Sequence, residues 1–460
     1  MLRDHAARAT GFAGSCLIAV GGLGAGALPV GIPFFAGLKH VRIGLFAVYG
    51  GLMLLLLAWW WLGRLSRAGD TRTMWRTAAL WAAPLLIAPP MFSRDVYSYL
   101  AQGLMLGEGM DVYRAGPAAL GGFFAEQVPA IWQHTPSPYG PVFLLLSEVV
   151  TAPIGGHLLT GVIAMRLLAV AGLALLAYVL PMLATEAGVP PHKALWLAVL
   201  NPLVLIHFVG GAHNDALMVG LLAAGLAAAI RNRPVLATVL IVAAALIKAP
   251  AVLGLVAVAV IWASRLDGRI PRLRASAAVG ATAAAATALF TQIAGTGYGW
   301  IAALDTPISP QNLSLTSVLG RFTTDFLGAD TTALWRWLGV LATLVVAGLV
   351  WAYLDRLGPL YGLGVVLVAV VAFGPALRPW YLIWGLVPLA AAAGHRWVRG
   401  ALAVACAVMT LVVLPDGFAV DAGELLLATL GGLAGCAAFL AVRLAAAPVP
   451  DRLVPARATR

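Results

Sequence analysis

An all-helical (all-α), polytopic integral membrane fold is what this sequence predicts, and three observations carry the prediction. Hydrophobic residues make up 62% of the 460 and charged residues only 10%, where soluble domains carry about 25% charged. The apolar residues are gathered into runs near the ~20-residue length that crosses a bilayer as a helix. The basic residues fall in short stretches between those runs. The net charge of +11 is therefore read as a topology and lipid-headgroup signal, and no nucleic-acid partner is expected.

The candidate spans are 11–34, 42–63, 77–91, 160–184, 194–211, 214–230, 235–249, 250–264, 275–294, 335–354, 359–376, 380–394, 398–415 and 424–443. Allowing for broken pairs, about 12–14 transmembrane helices are expected. The Gly-rich first run reads as an uncleaved span. Lys248-Ala249-Pro250 interrupts an apolar stretch, so 235–249 and 250–264 read either as full spans or as two half-helices. Placing the N-terminus inside puts most Arg and Lys residues on the cytoplasmic side, including the cluster Arg265–Arg274, with both termini cytoplasmic. Two long outer segments remain, 92–159 and 295–334. Within the first, the short apolar stretch Tyr139–Pro153 carries Glu148 and reads as an interfacial helix. The chain reads as one membrane domain over 1–460, without a separate soluble domain.

Polar residues on the outer side cluster in a few strings. In Ser93–Tyr99 (SRDVYSY) a helix would align Asp95, Tyr99 and Gln102 at i, i+4, i+7. Asp95 there suits a base that takes a proton from a sugar hydroxyl, or else a helix cap paired with Arg94. His134 and Tyr139 lie in a Pro/Gly-rich turn that suits either sugar contact or interfacial anchoring. His213, Asn214 and Asp215 read as ligand-binding groups or as a capping turn, and match no specific metal template. Lys248 reads as a phosphate partner or a snorkelling cation, and Arg378 as a bidentate phosphate partner. Asn312 and Arg321 are candidate contacts on the second outer segment. The three cysteines, Cys16, Cys406 and Cys436, form no CxxC and no Cys/His cluster. Walker, GxSxG, HExxH and strand–helix GxGxxG motifs are absent.

Taken together, Ser93–Tyr99 (SRDVYSY), Thr135–Pro141 (TPSPYGP), Asn201-Pro202 with Gly211–Met218 (GAHNDALM), Ile247–Pro250 (IKAP) and Arg378–Trp384 (RPWYLIW) resemble actinobacterial polyprenol-phosphomannose-dependent α-1,6-mannosyltransferases. The resemblance runs from about residue 77 to 394, and the layout is similar to GT-C glycosyltransferases, with interfacial helices in the first large outer loop. It implies an inverting transfer of mannose from a polyprenyl-phosphate-mannose donor to a mannan or glycolipid acceptor, at the outer face of the plasma membrane. Asp95 would then be the general base, and Lys248, Arg378 and Arg94 the partners of the departing phosphate. Substrate contacts are expected from Tyr97, Tyr99, Gln102, His134, Tyr139, His213, Asn214, Asp215, Asn312, Trp380 and Tyr381. With cations to neutralise the phosphate, no metal or other cofactor is expected. Another lipid-phosphate sugar, or a transporter or lipid flippase, stands as the alternative; the lack of a repeated half weighs against transport.

Overall fold

The computed structural model of the chain describes residues 2–65, 70–305, 314–417 and 422–447, and among these no strand occurs. Every predicted apolar run is occupied by helix. Leu2–Ala25, Val41–Leu65, Leu158–Glu186, Pro271–Ala294, Thr332–Ala352 and Ala422–Ala445 are each long and apolar enough to cross a membrane. Pro191–Ala198 and Pro202–Gly210, bent by 47°, together make a seventh candidate. Among the described residues that makes six candidate crossings by length and composition, or seven with the bent pair. Asp215–Ile230, Pro234–Ala245, Ala249–Ala263, Pro359–Phe373 and Pro379–Ala392 are apolar but hold only 10–17 residues each.

Proline accounts for much of the shortening. Pro191, Pro202, Pro234, Pro359 and Pro379 each stand at the first position of a helical segment, where the missing N–H costs nothing. The stretch broken at Lys248 is two short helices, Pro234–Ala245 and Gly254–Ala263, joined through the 3-10 turn Ala249–Leu253. The first helix runs over Leu2–Ala25 rather than 11–34. Its polar start, rich in Ala and Arg, propagates a helix well although it is not apolar, and hydropathy alone misses this. Pro141–Thr151, within the predicted interfacial stretch, is an 11-residue helix. At 1.5 Å per residue it is roughly half the length a crossing needs.

The long helices pack through small residues. A side chain at Gly14 or Gly51 would strike the backbone of the other, at 2.7 and 2.6 Å, so the first helix and Val41–Leu65 meet backbone to backbone. By contrast Thr332–Ala352 leaves Leu334, Trp337, Leu341 and Leu344 exposed along one stripe, the face such a helix offers to lipid.

Three contacts bring distant segments to one place. Arg166, buried in the middle of Leu158–Glu186, donates to the carbonyls of Leu86, Ala88 and Gly210 at 2.7, 2.8 and 3.0 Å. It thereby joins the end of Thr71–Ile87 to the end of the π-helical turn Leu205–Gly210. Phe92 N–H donates to Pro415 O at 2.8 Å. The backbone of Leu246 fills the space where a Gly140 side chain would sit, and Phe143 N–H donates to Leu246 O at 3.3 Å. These contacts bring Asp95, His213, Tyr139 and Lys248 into one neighbourhood.

Candidate active site

The turns that deliver Asp95 and His213 are held in uncommon backbone conformations. Phe92 (φ 63°) and Ala212 (φ 53°) are left-handed, a region non-glycine residues rarely enter. Met91 N–H donates to Gly210 O at 3.4 Å, so the two turns lie side by side. Strain of this kind persists only where the surroundings over-determine it, and it gathers at functional sites.

Asp95 opens the helix Asp95–Gly107, with Arg94 at the cap position, and Ser93 Oγ accepts the Asp95 N–H at 3.0 Å. The Asp95 carboxylate is therefore not spent on capping. Its side chain is 24% exposed, and its Oδ2 lies 3.6 Å from Nδ1 of His213. One turn along, Tyr99 Oη is 3.4 Å from both His213 Nδ1 and Asn214 Oδ1. These distances are long for hydrogen bonds. Burial pushes the Asp95 carboxyl above its ordinary value, while the charges of Lys248 and Arg378 pull it part of the way back. A carboxylate raised in this way is a better proton acceptor.

Deeper in, the geometry tightens. Asp215 is fully buried, and both its oxygens are occupied: Oδ2 by Lys248 Nζ and Oδ1 by Trp384 Nε1, each at 2.6 Å. Lys248 also lies over the rings of Tyr381 and Trp384, at 4.7 and 5.6 Å from their centroids. Tyr381 stacks on Trp384 at 4.1 Å and Trp380 stacks on His213 at 4.0 Å. Arg378, at the start of the same Pro379–Tyr381 turn, places its guanidinium 6.0 Å over the Trp132 ring. His213 Nε2, Asn214 Nδ2 and Trp380 Nε1 are buried polar atoms with no hydrogen-bond partner. Buried polar groups are usually satisfied, so these three nitrogens leave hydrogen-bonding capacity inside the cluster. Among the described residues no group of three or more His, Cys, Asp or Glu is arranged to hold a metal.

The family described as "Alpha-(1->6)-mannopyranosyltransferase, N-terminal domain" matches residues 8–264, and the "MptB C-terminal domain" matches 314–442. The chain belongs to this family. It is 37% identical to Alpha-(1->6)-mannopyranosyltransferase A of Mycobacterium tuberculosis, over 88% of this chain and 84% of that protein. It is 36% identical to a probable alpha-(1->6)-mannopyranosyltransferase of Mycolicibacterium smegmatis, over 86% and 80%. Against Alpha-(1->6)-mannopyranosyltransferase B of Corynebacterium glutamicum the figures are 30%, 95% and 81%. No solved structure matches the chain.

Within this mannosyltransferase family member, the residues singled out from sequence divide. Asp95, Tyr99, His213, Asn214, Asp215, Lys248, Trp380 and Tyr381 meet in one cluster, with Tyr139 packed edge-on against Tyr99 at 5.3 Å. Arg378 acts on the same carboxylate. Tyr97 does not join them: it lies on the opposite face of its helix, and its hydroxyl donates to Ala27 O at 2.6 Å. Two residues along a helix is over half a turn, so Tyr97 and Tyr99 meet different neighbours. Gln102 is buried, and its Oε1 accepts from Ser137 Oγ at 3.0 Å, holding the Pro-rich turn instead of facing the cluster. His134 is an exposed residue at the end of the short helix Ala130–Gln133. Arg94 lines a cavity with Lys39, Asp416 and Glu424. Asn312 lies outside the described residues, and Arg321 lies on the helix Leu315–Leu327.

Sequence reasoning missed three contributors. Trp384, inside the RPWYLIW string, holds Asp215. His207 stands 5.0 Å from Trp380 and 5.7 Å from His213. Arg166 ties the two turns from behind. An arginine within an otherwise apolar span was the available signal for it, since such a charge persists only when satisfied.

Proposed function

We propose that this protein is an inverting glycosyltransferase that moves mannose from a polyprenyl-phosphate-mannose donor to a hydroxyl of a mannan or glycolipid acceptor, forming α-1,6 linkages at the outer face of the plasma membrane. One observation carries the reading: a partly exposed carboxylate, raised by burial, shares its site with two cations and with buried polar atoms that lack partners.

In the reaction, the acceptor oxygen attacks the anomeric carbon as the bond from that carbon to the phosphate oxygen breaks. Asp95 takes the hydroxyl proton. The departing polyprenyl phosphate keeps the bonding pair, so its charge rises from one negative to two. Arg378 and Lys248 stabilise that developing charge. Lys248 is already neutralised by Asp215, so Arg378 supplies most of the net positive charge. Trp384, Tyr381 and Asp215 hold the ammonium in place, which limits reorganisation during the reaction. Trp380 stacks on His213 at 4.0 Å and holds that ring beside Asp95. The phosphate's charge is thus assigned to side chains rather than to a metal.

The test is mannosyl transfer from radiolabelled polyprenyl phosphomannose in membranes carrying wild type or Asp95→Asn. Label entering a glycan with wild type alone supports the donor and the base together. Equal transfer by both proteins sinks the Asp95 assignment. No transfer by wild type, with mannan acceptors present, sinks the donor.

A further inference from the structure

We propose that Trp132 is a positioning residue: its ring seats the Arg378 guanidinium face-on and leaves the N–H edge of that cation free for the donor phosphate. This rests on the glycosyl-transfer reading above.

The two cations of the site are held in different ways. Lys248 Nζ is fixed by Asp215 Oδ2 at 2.6 Å, whereas among the described residues the Arg378 guanidinium makes no hydrogen bond or ion pair. The backbone on either side of Arg378 is secured. Ser314 Oγ and Ser317 Oγ donate to Pro375 O at 3.0 and 3.1 Å, and Thr316 Oγ1 donates to Gly374 O at 3.1 Å. Tyr381 N–H donates to Arg378 O at 2.9 Å. Beyond that backbone the arginine side chain is long and rotamer-rich, and ordering it is entropically costly. The contact that selects one orientation is the Trp132 ring, whose centroid lies 6.0 Å from the guanidinium carbon.

An aromatic seat suits this cation. A guanidinium stacks through its face and donates through its edge, so a ring steadies it without consuming N–H groups. A carboxylate in the same place would neutralise the charge, as Asp215 does for Lys248, and leave less of it for a phosphate gaining negative charge.

Trp132 can act as a seat because the turn that carries it is braced. Its N–H donates to Pro129 O at 2.8 Å, and Gln133 Nε2 donates to Val128 O at 3.1 Å. A side chain at Gly116 would strike the backbone of residues 133–135 at 2.5 Å, so the short helix Ala130–Gln133 ends directly on that glycine. Ser137 N–H, donating to Val112 O at 2.9 Å, ties down the chain that follows. The outer segment that supplies Asp95 therefore also reaches the cation, and one stretch of chain sets the register between base and phosphate partner.

The test combines a spectroscopic readout with transfer. The full chain, labelled with 5-fluorotryptophan in detergent micelles, is examined by fluorine NMR, and the Trp132 resonance is assigned by its loss in Trp132→Phe. That resonance is expected to shift in Arg378→Gln; an unshifted one overturns the proposal whether or not transfer is observed. In the transfer assay Trp132→Ala is expected to lower kcat/KM for polyprenyl phosphomannose about tenfold, the equivalent of a partly desolvated cation–π contact. Trp132→Phe keeps an aromatic face and should retain most of the wild-type rate. Added to Arg378→Gln, Trp132→Ala should cost little more. Full additivity of the two substitutions overturns the proposal and makes Trp132 an independent contact. A shifted resonance beside a wild type that transfers nothing from the lipid donor defeats the proposed function and leaves the seating of Arg378 standing.

Discussion

The two ends of the site treat their carboxylates in opposite ways. Around Asp215 every contact is short and both oxygens are taken, by Lys248 and Trp384 at 2.6 Å. Around Asp95, by contrast, His213 Nδ1 stands off at 3.6 Å and the carboxylate is partly open. A group already holding its full set of partners has nothing left for a substrate, whereas a raised and partly exposed one does. The contrast separates the reacting carboxylate from the carboxylate that positions a cation, a distinction that neither residue's type nor its neighbours in sequence would make.

Substitutions can break that comparison at its strongest point first. Asp95→Asn is expected to lower transfer about 10³-fold, the scale of general base catalysis, with thermal stability unchanged; a melting curve in nanodiscs beside the transfer assay checks both. Asp215→Asn strands Lys248 as a buried cation and is expected to cost about 3–5 kcal/mol of stability. Combining Asp215→Asn with Lys248→Met should recover much of that stability but not activity. Measuring the single and double variants by thermal unfolding decides whether the pair is structural as well as functional.

A smaller effect is expected at Arg378. The base must be ionised to act, so kcat/KM should fall as pH drops through the raised value of Asp95. Arg378 is one of the charges holding that value down, so Arg378→Gln should move the acidic limb to higher pH, and an unmoved limb would detach Arg378 from Asp95. The least effect on catalysis belongs to Tyr97→Phe. It removes the bond to Ala27 O and is expected to cost about 1–3 kcal/mol of stability, with KM for donor unchanged. A raised donor KM in that variant would return Tyr97 to the substrate.

Much of the site was legible before the structure because polar residues in an apolar chain are conspicuous. Asp95, His213, Asp215, Lys248 and Arg378 stand out against 62% hydrophobic residues, and burying such groups is costly unless they are used. What the string alone does not give is direction. Tyr97 and Tyr99 look equivalent in the string, yet helical geometry sends one to Ala27 and the other to His213. Arg94 and Asp95 are neighbours that line different spaces. Gln102 was placed on the correct face, but the turn at Ser137 claims it.

The sequence by itself determined the solvent this protein folds in, the approximate places of most of its helices and the residue types available for chemistry. Hydropathy and proline placement are local, and in lipid the backbone has to bond within its own segment, so local signals suffice for the elements. Tertiary structure alone decided which carboxylate is saturated and which is open. It also set the stacking of Trp380 on His213 and the clamp by which Arg166 aligns two turns. Those outcomes rest on contacts between residues far apart in the chain, at distances where a few tenths of an ångström separate a filled hydrogen bond from an available one.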